Sequence, residues 1–592
     1  MIVKMKKVFA ATTAARREAL LDALRELGVV HLEPAAPGAS APAAVLEALA
    51  KVQRAQQVIS TVKPGAARPE VSALAAAEEI HAIARRTEEN RARLSALGRE
   101  ADGLALWGEL RRESLNALEA AGVPLEFYAV PAREVGEISA ELAAPLAELP
   151  GKRTLVAVVD RPGAASLPEG SQRLEKPPRD IFAVRREAQE VDSTLAADAR
   201  RLAELAGLAD ELEKKRRELA DQAAYEKALA GAKLGEGVFA VQGWVPVELA
   251  DKLPQQLTVS GLAAVAVSRD PLPEESPPTL IEPVRWARPI QGLFKMLGID
   301  PGYRELDVSV GFMVALPIFA AMLISDGGYG LIFLLAPIVF RRRLIAAAGE
   351  MLTNLILVIG AVSVVWGVVT GSFFGVDVFG LIAGRKPPIT IDLSEESRLL
   401  MMRITFTIGA IHLCLAQLWR AGVLFPDLRF LCKVGWAIFL WGMYGVVKHF
   451  VLGDALDWST PWYYLLIAGA APAILMAAPS WNVFKMIGLG LANFPLTMLG
   501  TFSDILSYVR LMAVELAGSV LAVKFNALAL SAGPVLMVPV LIFGHTLNIG
   551  LCLIALFAHG VRLNVLEFSN NIGMEWSGYP YQPFARNLEQ EN

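Results

Sequence analysis

From about residue 307 to residue 569 the chain is a succession of eight apolar runs, at 307–325, 328–345, 351–376, 402–420, 432–452, 461–479, 496–529 and 535–569. Each is long enough, when modestly extended or tilted, to cross the ~30 Å hydrocarbon core of a bilayer as a helix. The third, 351–376, contains no charged residue. The last two exceed a perpendicular crossing and are expected to be long and tilted. A chain with this pattern has to bury its apolar runs in lipid or against one another.

Composition matters here because it looks contradictory. Of 592 residues, 54% are hydrophobic, yet 20% are charged. The two figures agree once charge and apolar bulk are segregated. Residues 1–300 are rich in Ala, Glu, Arg and Lys, and the apolar runs follow. A net charge of −4 gives no global basic field, so nucleic acid is not an expected partner. Cys414, Cys432 and Cys552 form neither a CxxC pair nor a disulfide framework.

The N-terminus has basic residues but no apolar core of signal-peptide length, so the soluble half is expected to stay cytoplasmic. It reads as strand 2–10, helix 14–27 and strand 29–32, followed by a helical stretch over 42–121 broken by two prolines in KPGAARPE at 63–70. Strand 125–130, a helix at 132–147 and strand 153–160 suggest a second small lobe. A second helical run covers 178–232, and 237–267 gives another β–α–β unit. The expected fold class is therefore α+β: two small α/β lobes joined by a long antiparallel coiled coil, then an all-α polytopic domain of eight transmembrane helices. In residue terms, a proximal lobe takes 1–35 and 235–270. The arms are 42–121 and 178–232, the distal lobe is 122–177, and the whole forms a cytoplasmic domain over 1–300. The membrane domain is 301–592.

Two arginines lie inside the last two apolar runs, Arg510 and Arg562. A guanidinium stays protonated at any biological pH, and at a helix centre it costs about 2.5–3.5 kcal/mol even on lenient insertion scales. Such residues face a protein partner or a water-filled cavity, which points to an ion pathway.

Short blocks then carry a resemblance. KVFAATTAARREALLDALRELGVVHLE at 7–33, QGWVP at 242–246, PPTLIEP at 277–283, SDGGYG at 325–330, TGSFFG at 370–375, IHL at 411–413, LSYVRLMA at 506–513, HGVRLNVLEF at 559–568 and GYPYQPF at 578–584 occur in family order. Together they make the chain similar to the membrane stator subunit (subunit a, or subunit I) of the V-type and archaeal or bacterial V/A-type rotary ATPases. Ser325 departs from the family's usual glycine. The resemblance implies a stator that forms proton half-channels against a rotating proteolipid ring, with Arg510 and Arg562 holding the rotor carboxylate ionised. It also implies peripheral-stalk partners of the E and G type, contact with a central-stalk socket subunit, and a prokaryotic plasma-membrane location. Eukaryotic members carry a histidine and a glutamate where this chain has Gly518 and Cys552, so the external half-channel has to use other groups.

Polar residues near the arginines are candidates for half-channel lining, the alternative for each being a helix–helix hydrogen bond. They are Ser503, Asp504, Ser507 and Glu515 in the seventh run, His545, Asn548, His559 and Glu567 in the eighth, and His412 in the fourth. Glu515 and His545 are the candidates for the external side. Asp326 reads as a turn residue, and QGWVP as structural. The sequence holds no GxxxxGK followed by Ser or Thr, no HExxH and no GxSxG, so neither nucleotide chemistry nor a cofactor or metal is expected, and the chain is not expected to be an enzyme on its own. Two other readings stay open: a secondary transporter with a cytoplasmic regulatory domain, and a passive membrane scaffold.

The basic residues set an expected orientation. Arg341, Arg342 and Arg343 follow the second run, Arg420, Arg429 and Lys433 surround the turn after the fourth, and Lys485 follows the sixth, whereas Arg385 and Lys386 run against the pattern. By the positive-inside rule both termini are cytoplasmic. Single cysteines in the 377–398 loop should react with an impermeant reagent from outside, and cysteines in the C-terminal tail should not; the reverse pattern would overturn the orientation.

Overall fold

The computed structural model describes residues 1–586 except 36–37, 66, 106, 108–109, 160–164, 236, 260–262, 385–386 and 480–481. Arg385 and Lys386, the exceptions to the charge pattern, thus lie outside the described residues. The chain forms two compact units. One comprises 11–28, 32–242 and 584 onward; the other comprises 1–10, 29–31 and 243–583.

The first unit is dominated by paired helices. Ala43–Ile59 and Ala73–Ala105 pack against Ile181–Ala206 and Ala209–Ala230. Their apolar residues recur at three- and four-residue spacing, as in Ala76, Ala77, Ile80 and Ile83, so each helix has one stripe to bury. Those stripes close a core with Val52, Ala55, Leu205, Leu212 and Leu219. Ion pairs and amide contacts flank it and report its direction. Gln56 meets Glu213 at 3.0 Å, Arg68 meets Glu211 at 2.8 Å, Arg201 meets Glu79 at 2.6 Å, and Arg93 Nε meets Glu187 at 2.6 Å. Rising numbers on one side face falling numbers on the other, so the pairing is antiparallel. The proline break is stitched to the opposite helix, since Gly65 N–H donates to the Ala203 carbonyl at 2.7 Å.

Beyond the helices lies a four-stranded antiparallel sheet in the order Leu142–Leu149, Arg153–Val159, Leu125–Pro131, Gln172–Leu174. This corrects the helix expected over 132–147, where the structure has only a 3-10 turn at Val135–Glu137 and then a strand. Pro145 cannot donate within a helix. The strongly β-forming TLVAVV segment next along the chain offers a partner reached through a tight turn. Gly151 (φ 83°) and Lys152 (φ 60°) supply the left-handed conformations such a turn needs. Val130, Val156 and Val158 fill one face, while Phe127, Leu155 and Ala157 meet Leu115 of the Arg112–Ala120 helix on the other.

A five-stranded sheet carries His31–Glu33, Val238–Pro246, Met5–Thr13 and Val265–Arg269 in that order, with Lys233–Gly235 paired to Val238–Pro246. Trp244 of QGWVP is fully buried, with the Lys7 ammonium 5.1 Å from its ring.

Among the described residues of the second unit, five helices are long and apolar enough to cross a membrane: Glu350–Thr370, Glu395–Leu424, Arg429–Leu452, Val483–Ser531 and Gly533–Ile572. Ser309–Ile324, Gly327–Val339 and Pro461–Leu475 are apolar but shorter. At ~1.5 Å per residue these three fall short of the ~30 Å core. The Gly327–Val339 and Glu350–Thr370 helices touch through glycine. A Cβ on Gly360 would lie 2.4 Å from Leu334 N, and one on Gly367 would lie 2.1 Å from Gly327 Cα. Close backbone approach of this kind is how small residues join membrane helices. The SDGGYG and TGSFFG blocks meet at the same corner. Asp326 caps Gly327–Val339 and accepts from the N–H groups of Gly328 (2.8 Å), Tyr329 (3.1 Å), Phe374 (2.8 Å) and Gly375 (2.9 Å), and from Ser372 Oγ (2.8 Å).

Acid should loosen the antiparallel helices at their paired carboxylates. The Arg86 guanidinium hydrogen-bonds Asp198 and holds its carboxyl below the ordinary 3.8. A depressed folded value means that the stabilisation is present above the unfolded value and is lost as pH falls through the folded one. Hydrogen exchange, corrected for intrinsic rates, should show protection near residues 86 and 198 intact at about pH 6, beginning to fall near the ordinary carboxylate value of about 3.9 and continuing to fall below it. Asp198→Asn should be less protected at the higher pH and insensitive to acid at this place. Equal acid sensitivity in both proteins would reject the assignment.

Candidate functional site

The site is built on the two longest apolar helices, and each is irregular where its arginine sits. Val483–Ser531 breaks at Tyr508, between Val483–Ser507 and Val509–Ser531. At the break Leu511 N–H bonds to the Tyr508 carbonyl at 3.0 Å, so the Ser507 carbonyl loses its usual partner. Arg510 takes it, Nε donating at 2.9 Å. In Gly533–Ile572 two π-helical turns, Leu556–Gly560 and Leu563–Phe568, flank Arg562. Such turns widen the ladder and are frequent at functional sites. Side chains take the loosened carbonyls: Asn564 donates to Gly560 at 3.2 Å, Ser569 to Asn564 at 3.0 Å, and Asn571 to Glu567 at 2.8 Å.

These irregularities bring three charges together. Arg510 Nη2 lies 2.7 Å from Glu567 Oε1, and Arg562 Nε lies 3.7 Å from the same oxygen. The Glu567 side chain is 6% exposed, that of Arg510 22% and that of Arg562 53%. Glu567 Oε2 has no hydrogen-bond partner among the described residues. Asp504 is turned to Asn571, which donates to it at 2.8 Å and accepts from Gln417 at 2.9 Å. His559 lies within electrostatic reach of both arginines. His412 stacks on Phe568 (ring centroids 4.5 Å apart), and its Nδ1 is 2.7 Å from the Tyr508 hydroxyl. Ser507 contributes its carbonyl, its hydroxyl being spent on the Asp504 backbone at 2.7 Å. Ser503 is exposed and is not drawn into the cluster.

A second cluster collects the candidates for the external side. Glu515 is fully buried; its Oε1 accepts from Trp366 Nε1 at 2.8 Å, and its Oε2 has no partner among the described residues. His545 Nδ1 is 2.7 Å from the Tyr329 hydroxyl and its Nε2 is 3.1 Å from Asn526 Oδ1. Asn548 donates to that hydroxyl at 3.1 Å and to the Gly518 carbonyl at 2.9 Å. Gly518 and Cys552, the two positions that depart from the eukaryotic pattern, face each other, a Cβ on Gly518 falling 3.8 Å from Cys552 Sγ. His545 and Arg562 are seventeen residues apart on one helix, about 25 Å at ~1.5 Å per residue.

Sequence reasoning missed Gln417 and Asn571, although amides inside apolar helices are a usable signal. It also missed Trp366 and Asn526, and it had Tyr329 and Tyr508 only as members of the SDGGYG and LSYVRLMA blocks. The helix break and the π turns have no sequence signal at all.

Apolar helices long enough to cross a bilayer, with charge held inside the two longest, define a membrane protein. The comparisons with known proteins agree. No protein-family model matches the chain. Across 99% of its length it is 29% identical to V-type ATP synthase subunit I 1 of Treponema pallidum and 27% identical to V-type ATP synthase subunit I of Borreliella burgdorferi, covering 100% of each. A-type ATP synthase subunit I of Methanocaldococcus jannaschii is 23% identical over 59% of this chain and 55% of its own. A crystal structure of the cytoplasmic N-terminal domain of subunit I, homolog of subunit a, of V-ATPase matches 45% of the chain and 100% of its own at 17% identity, with a TM-score of 0.19. The chain is thus similar to V-type ATP synthase subunit I along 99% of its length and to A-type ATP synthase subunit I over 59% of it.

Trp366 supplies the only hydrogen bond to the Glu515 carboxyl among the described residues. Trp366→Phe should lower the thermal stability of the purified protein by about 1–3 kcal/mol, the cost of a buried polar group left unsatisfied. Glu515→Leu in the same chain should recover most of that loss. Additive losses in the double variant would reject the pairing.

Proposed function

We propose that the chain is the stator membrane subunit of a rotary V/A-type ATPase or ATP synthase, carrying protons between half-channels that meet a rotating proteolipid ring. The observation that carries this reading is the sharing of one buried carboxylate oxygen by Arg510 and Arg562. Arg510 already engages that oxygen, which leaves Arg562, the more exposed of the two, without a carboxylate of its own. An ionised carboxylate on a passing rotor helix is the partner that such a site lacks. A protonated rotor carboxyl is neutral and tolerates lipid, whereas an ionised one does not. The arginines favour the ionised form, so the proton leaves where the rotor passes them, and no direct leak joins the two sides.

In this reading eight helices span the membrane, both termini are cytoplasmic, and residues 1–300 form the arm that binds peripheral stalks of the E and G type and meets the central-stalk socket. Asp504, Asn571, Gln417, His559 and His412 belong to the cytoplasmic branch of the ion path, together with the Ser507 carbonyl. Glu515, His545 and Asn548 belong to the external branch. ATP chemistry belongs to other subunits, and the proton is the cargo.

Arg510→Gln should leave the complex assembled and abolish ATP-driven proton uptake in reconstituted vesicles. Glutamine keeps hydrogen-bonding capacity but loses the fixed charge, and hydrogen bonds to charged groups contribute about 1.5–3 kcal/mol, a tenfold or larger effect on the step they serve. Arg510→Lys should also fail substantially, because an ammonium lacks the planar fork that serves Ser507 and a carboxylate at once. Near-normal coupled uptake by the assembled Gln variant would refute the role, and loss of assembly on native gels would favour a structural one.

A further inference from the structure

The hydrogen bonds of the outer cluster have only one possible direction, because both ends are backbone carbonyls. The Phe374 carbonyl can only accept, and it lies 2.7 Å from Asn526 Nδ2. That contact fixes the amide, so Asn526 Oδ1 faces His545 Nε2 at 3.1 Å. An amide oxygen accepts; Nε2 therefore carries the proton. At the other end the Gly518 carbonyl accepts from Asn548 Nδ2 at 2.9 Å, and the second hydrogen of that amide goes to the Tyr329 oxygen at 3.1 Å. Tyr329 is left to donate its own hydrogen to His545 Nδ1 at 2.7 Å. Nδ1 is then the lone-pair nitrogen of a neutral imidazole. The Phe374 carbonyl is itself held in place, since Asp326 pins the Phe374 and Gly375 N–H groups at 2.8 and 2.9 Å.

We propose that Asn526, set by the hairpin that Asp326 pins, is a positioning residue: it locks His545 in the Nε2–H tautomer and so makes Nδ1, which faces Tyr329, the nitrogen that receives a proton on the external branch. The proposal rests on the ion-translocating reading above. The step balances. A hydronium ion gives a proton to the Tyr329 oxygen as the tyrosine's own O–H proton passes to Nδ1, leaving water, a neutral tyrosine and an imidazolium. The carboxylate of Asp326, at the start of Gly327–Val339, is the charged group that acts on that imidazolium. On the hairpin side Asp377 is exposed and bonded to Gly380 N–H; on the Asn526 helix Lys524 is exposed and Glu515 is turned to Trp366. Cys552 lies two turns along His545's own helix.

The chain has six histidines, and only His545 follows a glycine. Carbonyl-labelled glycine with ¹⁵N-labelled histidine therefore assigns His545 uniquely in solid-state NMR spectra of the full-length protein in bilayers. Near neutral pH its ring nitrogens should report the Nε2–H tautomer. Asn526→Leu removes the acceptor and should give mixed tautomers; Asn526→Asp keeps an acceptor and should keep Nε2 protonated. An Nδ1–H signal in the unaltered protein would overturn the proposal, and so would an Asn526→Leu spectrum identical to it. Should the Leu variant not fold, the unaltered and Asp spectra still decide. In reconstituted complexes Asn526→Leu should depress proton uptake and alter its pH profile. If it leaves both unchanged while Arg510→Gln abolishes uptake, the positioning role fails and the ion path stands.

Discussion

A single carboxylate oxygen, Glu567 Oε1, faces two guanidiniums inside the apolar half of this molecule, and much else follows from how that is made tolerable. A buried charge is costly unless it is paired and hydrogen-bonded. Glu567 meets this condition through Arg510, and Arg510 in turn is anchored by the Ser507 carbonyl. Arg562 is different: it stands at 3.7 Å from an oxygen already engaged, half exposed, with no carboxylate of its own in the cluster. The arrangement stabilises one arginine and leaves the other open to a partner.

Neither arginine could occupy its place on a regular helix in the same way. An unbroken ladder at Tyr508 would keep the Ser507 carbonyl bonded to Leu511, and Arg510 would lose its anchor. Around Arg562 the two π turns carry side-chain donors on the carbonyls of Gly560, Asn564 and Glu567. The geometry of the cluster rests on local departures from regular helix, held by amides and hydroxyls in the same cluster.

That explains which parts of the site were legible in the sequence. Charges in an apolar run violate a composition rule, so Arg510, Arg562, Glu515 and Glu567 stood out, and the Asp326 turn was readable from its glycines. What each charge touches was not readable. Trp366 is a good residue for a membrane helix whether or not it donates to Glu515, and Asn571 gains meaning only because it joins Asp504 to Gln417. The antiparallel helices of the other unit were legible because a stripe at three- and four-residue spacing has one way to be buried. The strand at Leu142–Leu149 was not, because its Ala- and Leu-rich sequence fits a helix until Pro145 and the neighbouring TLVAVV strand are weighed together.

The two clusters differ in a way that bears on direction. Around His545 the imidazole, hydroxyl and both amides are satisfied in a chain ending on backbone carbonyls, and the nearby Asp326 is saturated with donors. Such a network holds a proton without needing a partner from outside. Around Glu567 one carboxylate oxygen lacks a donor among the described residues, and Arg562 reaches only the oxygen that Arg510 already engages. In the proposed reading, a rotor carboxyl that passes the arginines gains electrostatic stabilisation there only on losing its proton. The two clusters thus differ in what they lack: the outer one is satisfied from within, whereas in the inner one Arg562 has only an oxygen that Arg510 already engages.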